Sequence, residues 1–176
     1  ALAEVIFGDY NPGGKLPVTF YESTNDLPDF LDYSMENRTY RYFRGVPQYA
    51  FGYGLSYTTF EVGKGKISKK SMKTDGSVKI IVPVENTGDR EGTETIQVYV
   101  KALDYAEAPI KSLKGFQKIN LKAGEKGKVE IVLDGESFQY YDPSIDELST
   151  RTGRYQILYG TSSLEKDLKS IDFVVK

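Results

Sequence analysis

The sequence predicts a mainly β protein: a two-sheet sandwich of about seven strands, preceded by the terminal helix and strand of an α/β unit. Two observations predict it. After Thr58, short alternating apolar runs recur between turn signals, about seven of them in about 120 residues. Before it stand an apolar helix-favouring run, a Gly-rich turn and a single alternating run, in that order.

Taken along the chain, Ala1 to Phe7 reads as the tail of a helix, stopped by Gly8, Asn11, Pro12, Gly13 and Gly14 of "GDYNPGG". In "KLPVTFY", Leu16, Val18 and Phe20 alternate with Pro17, Thr19 and Tyr21, the period of a strand with one buried face. Residues 22–47 are polar and aperiodic, an excursion over a surface, within which "RTYRYF" predicts a short strand. A strand from Tyr57 opens the sandwich. "SVKIIVPVEN" and "TETIQVYVKA" flank the turn "TGDREG", and "SLKGFQKINL", "KGKVEIVLD", "GRYQILYGTS" and "KSIDFVVK" complete the series. The boundary falls at the aromatic stretch "YAFGYGLSYTTFE", dividing the chain into 1–58 and 59–176. A stretch in that place covers apolar surface on both sides, so Tyr49, Phe51, Tyr53, Leu55, Tyr57 and Phe60 are expected to form an inter-domain joint, with Gly52 and Gly54 letting the backbone turn between rings.

Composition removes whole classes of chemistry. With 0 His and 0 Cys, the chain carries no serine–histidine triad, no thiolate nucleophile, no imidazole base and no disulfide. A net charge of −2 with dispersed lysines gives no footprint for nucleic acid, and "GKGKISKK" reads as a solvated strand edge that discourages aggregation. Hydrophobic residues at 39% beside 27% charged residues describe an ordinary folded chain, and no apolar run reaches the roughly 20 residues of a membrane helix. The opening residues lack the pattern of a signal peptide and start inside an apolar run, which suggests a fragment or a processed product.

Acidic and aromatic clusters offer competing sites. Asp142, Asp146 and Glu147 present carboxylates suited to calcium, but without the alternating ligand positions and central glycine of a calcium loop, so a polar turn begun by Pro143 is the expectation. "NPGG" lacks the Lys-Ser/Thr and the helix of a phosphate cradle. Tyr140 and Tyr141, with Tyr105 and Phe138, are the candidate stacking platform of a carbohydrate-binding module, although neighbouring strand residues point to opposite faces. Tyr40, Arg41 and Tyr42 are candidates for the rim of a substrate entrance; the expectation is instead that they pack, Arg41 pairing with an acid of the α/β domain while Tyr42 and Phe43 lie beneath the sandwich.

"AEVIFGDYNPGGKLPVTFY" and "RTYRYFRGVPQYAFGYGLSYTTFE" resemble the C-terminal region of family 3 glycoside hydrolases of the β-glucosidase and β-xylosidase type. "VPVENTGDREGTETIQVYV" and "LKGFQKINLKAGEKGKVEIVL" resemble the immunoglobulin-like, fibronectin type III-like domain that follows it in many members. The resemblance covers essentially the whole chain. It implies a parent enzyme in which an aspartate nucleophile and a glutamate acid/base, about 5–5.5 Å apart, carry out retaining hydrolysis of terminal β-D-glucosyl or β-D-xylosyl residues. It places both carboxylates upstream: Thr74 and Asp75 of "KTDGSV" stand in a polar turn with no apolar strand before them, unlike the nucleophile's setting. The chain then has no catalytic residue, cofactor or metal of its own. Its partners are the upstream catalytic domains and, through them, a β-linked oligosaccharide, in a periplasmic or secreted setting. The form "RTYRY" is closer to xylosidase-like members. The alternative is an autonomous carbohydrate-binding or adhesion-type sandwich module.

Overall fold

The structure is a computed structural model describing residues 2–176. Two short helices precede the strands, α1 (Leu2–Ile6) and α2 (Thr39–Tyr42). The strands are β1 (Phe60–Val62), β2 (Lys66–Ile67), β3 (Ser71–Met72), β4 (Ser77–Asn86), β5 (Gly92–Ala102), β6 (Ser112–Leu121), β7 (Lys126–Asp134), β8 (Tyr140–Asp142), β9 (Glu147–Ser149), β10 (Gly153–Gly160) and β11 (Leu168–Val175).

They form a sandwich. In one sheet β4 pairs with β7 along one edge and with β1 and β2 in succession along the other. The second sheet runs β3-β11-β10-β5-β6, and β8 with β9 forms a separate hairpin. The long strands alternate as their sequences predict: Val78, Ile80, Val82 and Val84 of β4 meet Ile96, Val98 and Val100 of β5 and Tyr155, Ile157 and Tyr159 of β10 in one apolar core. Phe138 enters this core from a 3-10 turn and stacks on Phe173 at 5.3 Å. It is therefore a core ring and unavailable for a sugar.

Strand β5 is buried along both faces. Ile96, Val98 and Val100 point into the sandwich, while Thr95, Gln97 and Tyr99 on the outer face are also closed to solvent. What covers them is the chain before residue 58. Pairing with β6 slips between Val98 and Tyr99, a bulge that leaves Lys114 unpaired in the ladder. Its ammonium donates instead to the Gln139 carbonyl at 3.1 Å.

Several sequence expectations are corrected. "RTYRYF" is a helical turn: Asn37 and Thr39 take positive φ (57° and 53°), and the Phe43 amide closes onto the Thr39 carbonyl at 2.9 Å with no strand edge beside it. "KLPVTFY" is extended but forms no strand, because Pro17 interrupts the donors. Only the Leu16 and Phe20 amides reach Tyr53 and Tyr49 carbonyls, each at 2.8 Å. The apolar face expected to be buried there is largely open, with Val18 and Phe20 exposed. The sandwich begins at Phe60 rather than Tyr57, and four strands were not anticipated: β2, β3, β8 and β9 are two or three residues long, too short to show a period.

Amide exchange should be slowest at Ile80, Val82, Val98 and Ile157, at the centre of both sheets, and fast through residues 22–36. Comparable protection in the two sets would contradict the core described here.

Candidate functional site: an aromatic seam on the outer face of β5

The seam is built from three pieces. Residues 11–21 and 49–57 run antiparallel, tied by the Leu16–Tyr53 and Phe20–Tyr49 bonds and by the Gly52 amide donating to the Leu16 carbonyl at 2.7 Å. The outer face of β5 receives them. The Gln97 amide nitrogen donates to the Gly52 carbonyl at 3.1 Å and to the Thr161 carbonyl at 2.7 Å, while its oxygen accepts the Tyr99 hydroxyl at 2.5 Å. Each hydrogen of this buried amide thus has an acceptor, which is what makes a polar side chain tolerable at such a site. The Phe51 carbonyl accepts from the Ser163 amide at 2.9 Å.

Glycine is required twice. Gly52 sits at φ +78°, and a Cβ there would lie 2.0 Å from the Gln97 oxygen; at Gly54 it would lie 2.3 Å from the Gly14 carbonyl oxygen. Asn11 clamps the far end. Its amide donates to the Glu91 carbonyl at 3.0 Å, and its oxygen accepts the Tyr57 amide at 2.8 Å and the Ser56 hydroxyl at 3.0 Å. Lys15 pairs with Glu94 at 2.7 Å, both side chains mostly buried, which fixes the first segment to β5 by charge.

The aromatic candidates separate into two groups. Phe51 stacks on Tyr40 at 4.3 Å and Tyr40 meets Tyr99 edge-on at 5.8 Å, so this ring series climbs from the joint to β5. Phe51, Tyr53 and Phe60 are half-buried. Tyr49, Leu55 and Tyr57 are exposed, Leu55 by 71%. Leu55 faces solvent, whereas Tyr57, though part-exposed, lies against the first segment of the chain. The turn at Gly52 and Gly54 sends the following residues outward, and Tyr57 lies over α1, its hydroxyl donating to the Val5 carbonyl at 2.7 Å with Arg90 5.7 Å above its ring.

Of the rim candidates, Tyr40 accepts the Leu113 amide at 3.0 Å and Arg41 donates to the Ser112 hydroxyl at 3.1 Å, both turned toward the sandwich. Arg41 pairs with no acid among the described residues. Tyr42 is half-buried, and Phe43 packs edge-on against Tyr21 at 4.8 Å.

The acidic and tyrosine clusters do not assemble into sites. Asp142 is buried, taking the Ser144 hydroxyl at 2.6 Å and Arg151 at 3.0 Å; these hold its carboxyl below the usual carboxylate range, Ser144 contributing most. Asp146 accepts the Tyr141 hydroxyl at 2.5 Å, and Glu147 is exposed. Among the described residues no three acidic side chains are grouped as a metal site. Tyr140 is buried beside Tyr105, over which Arg151 lies at 4.4 Å, leaving Tyr141 as the exposed ring of the four platform candidates named for stacking on their outer side. One ring is not a coplanar platform.

Sequence reasoning missed Gln97, Asn11 and the Lys15–Glu94 pair. Gln97 was detectable in principle as an amide at the centre of the apolar run "TIQVYV".

Residues 1–57 match the model of the glycosyl hydrolase family 3 C-terminal domain, and residues 94–163 that of the fibronectin type III-like domain. The chain is 51% identical, over 97% of its length, to a xylan 1,4-beta-xylosidase of Xylanibacter ruminicola, and 39% identical over 93% to a periplasmic beta-glucosidase of Salmonella typhimurium. It spans 20% and 23% of those relatives. A solved structure of a GH3 beta-glucosidase from Bifidobacterium adolescentis superposes over 99% of this chain and 27% of that one, with a TM-score of 0.85 at 32% identity.

Phe51→Ala should lower stability by about 2 kcal/mol, below the roughly 3–5 kcal/mol of a fully enclosed ring, and leave any affinity for glucose, xylose or their oligomers unchanged. Gly52→Ala should be at least as damaging, since it strains φ and displaces Gln97. Thermal melting beside sugar titration checks both; a Phe51→Ala protein that melts like the parent but loses sugar binding would make the seam a ligand site. Burial also pushes the Tyr99 and Tyr155 phenols well above the ordinary tyrosine range. A raised folded value means stability is whole below the unfolded value of about 10 and falls as alkali is added beyond it. Ultraviolet titration should therefore show exposed tyrosines ionising first and a later step coincident with unfolding. A single step for all tyrosines would contradict this.

Proposed function

The chain belongs to glycosyl hydrolase family 3 as the C-terminal region of its members, and from that premise we propose that it is the non-catalytic, structural end of a retaining glycosidase releasing terminal β-D-xylosyl or β-D-glucosyl residues from oligosaccharides. The xylosyl reading is preferred, on the 51% identity to a xylosidase.

The observation that carries the reading is an imbalance of surface. The sandwich closes its apolar residues into one core. Residues 2–57 do not: Leu2, Ile6, Phe7, Phe30, Leu31 and Val46 all lie open, Phe30 by 90%. Apolar exposure on that scale marks an interaction surface. In this reading the cover is the preceding part of the same α/β domain, with the catalytic domain beyond it, and the aromatic seam is the joint that holds the sandwich against both. In this reading the boundary lies at 58/59, beside the bond from the Thr58 hydroxyl to the side-chain amide oxygen of buried Asn86 at 2.7 Å and just before β1 pairs with β4. Neither essential carboxylate belongs to this chain. No helix among the described residues is long and apolar enough to cross a membrane.

Assays with aryl β-xyloside and aryl β-glucoside test the reading. The 176-residue chain should be inactive, and a longer protein carrying the preceding domains should turn over the xyloside faster than the glucoside. Turnover by the chain alone, abolished by one Asp or Glu substitution within it, would overturn the assignment.

A further inference from the structure

The ribbon formed by residues 11–21 and 49–57 has a second face, turned away from β5. On it lies an open groove of about 630 Å³ walled by Pro12, Leu16, Phe20, Tyr49, Tyr53 and Leu55, with Gly14 and Gly54 also lining it. Phe20 meets Tyr49 edge-on at 6.2 Å and Tyr49 meets Tyr53 at 5.5 Å, so the rings form one wall. Among the described residues its one charged lining side chain, Lys15, is paired with Glu94. Gly14 is the telling position. Gly13 beside it has to be glycine, because a Cβ there would lie 2.9 Å from the Thr93 carbonyl oxygen. A Cβ on Gly14 would meet no described atom within 4 Å, and its φ lies outside the left-handed region, so neither a neighbour in this chain nor backbone strain requires glycine there. Bare backbone opening into an apolar groove leaves room for the close approach of another group.

We propose, resting on the family reading above, that this groove seats an uncharged, apolar element of the polypeptide that precedes this chain in the full-length protein, with one of its side chains lodged over Gly14. Three observations select that occupant. With Lys15 paired, the groove offers no free charge, so a charged ligand would lose its water without gaining a partner. The groove also runs on into the helix remnant. Asn11, next to Pro12, bonds Ser56 and Tyr57, next to Leu55, and the Tyr57 hydroxyl reaches Val5 of α1, a helix with no buried residue. The open apolar surface of Leu2 and Ile6 therefore continues that of the groove. Finally, groove and helix both fall within residues 1–57, matched by the family's C-terminal domain, while the chain spans only 20% and 23% of its two relatives. A covering element on the same polypeptide acts at an effective concentration of roughly millimolar, which a free partner does not have. The ribbon is then a middle layer, with Phe51 turned to the sandwich and Tyr49 and Leu55 turned to the preceding part.

Thiol labelling tests this, because the chain has 0 Cys and Leu55→Cys places one thiol in the groove. Its reaction with a maleimide, read by mass spectrometry of that peptide, should be slower by roughly tenfold or more in a longer protein carrying the preceding domains than in the 176-residue chain. Val132→Cys, on the outer side of β7 across the sandwich, should react alike in both. Gly14→Leu fills the groove from its own floor. It should melt with the parent in the 176-residue chain and lower the melting temperature of the longer protein. Equal labelling of Leu55→Cys in the two proteins, or a Gly14→Leu substitution that both tolerate, would overturn the proposal. So would protection of Leu55→Cys in the 176-residue chain by xylohexaose, which would make the groove a sugar site, or protection that grows with the concentration of that chain, which would make it the seat of a second copy. Protection in a longer protein that turns over neither aryl glycoside would support the groove while removing the glycosidase reading.

Discussion

Everything outside the sandwich depends on β5 having no free face. Its inner side chains complete the core, and its outer side chains are covered by the seam, so the strand cannot stay dry unless residues 11–57 are in place. Gln97 concentrates this constraint. Its amide bonds the Gly52 carbonyl, the Thr161 carbonyl and the Tyr99 hydroxyl, joining the first part of the chain, β5 and the segment after β10 in one buried group. Such a group is stabilising only while every bond is made, because each orphaned partner would cost about 1–3 kcal/mol.

Around that point the remaining attachments are polar and specific rather than broad and oily. Lys15 with Glu94, Asn11 with Glu91 and Tyr57, and Arg90 with the Gly8 carbonyl at 3.3 Å set the register of the first segments on the sheet. Apolar area then adds energy without choosing a position, through Tyr40, Phe51 and Phe43. The same division explains why Tyr49 and Leu55 can face outward while their neighbours are held. The glycines and hydrogen bonds fix the path of the backbone, and side-chain burial follows from it.

The long strands were legible in the sequence because their alternation is set by two apolar faces of one core. "SVKIIVPVEN", "SLKGFQKINL" and "KGKVEIVLD" coincide with β4, β6 and β7 end to end. Residues 37–43 were not legible, since a helical turn entered through two residues at positive φ leaves no periodic trace, and alternating Tyr, which favours strands, with Arg, which favours helices, points neither way. In "KLPVTFY" the alternation was real, but the bonds that make a strand need an uninterrupted neighbour, and Pro17 prevents one. At the seam the aromatic residues and glycines announced a joint, whereas the partner that organises it, Gln97, lies 45 residues away from Gly52 and is marked only by being polar where its neighbours are not.

The coverage of β5 also imposes an order of assembly during synthesis. The seam residues leave the ribosome first, but the surface that receives them does not exist until β5, β10 and the loop through Ser163 have been made and paired. Contacts so distant along the chain close late, after the loop entropy between them has been overcome. For that interval Phe51, Tyr40 and their neighbours are exposed on a nascent chain, the condition under which chaperones engage and aggregation competes. A single amide at position 97 thus marks the moment at which the first third of the chain is released from waiting.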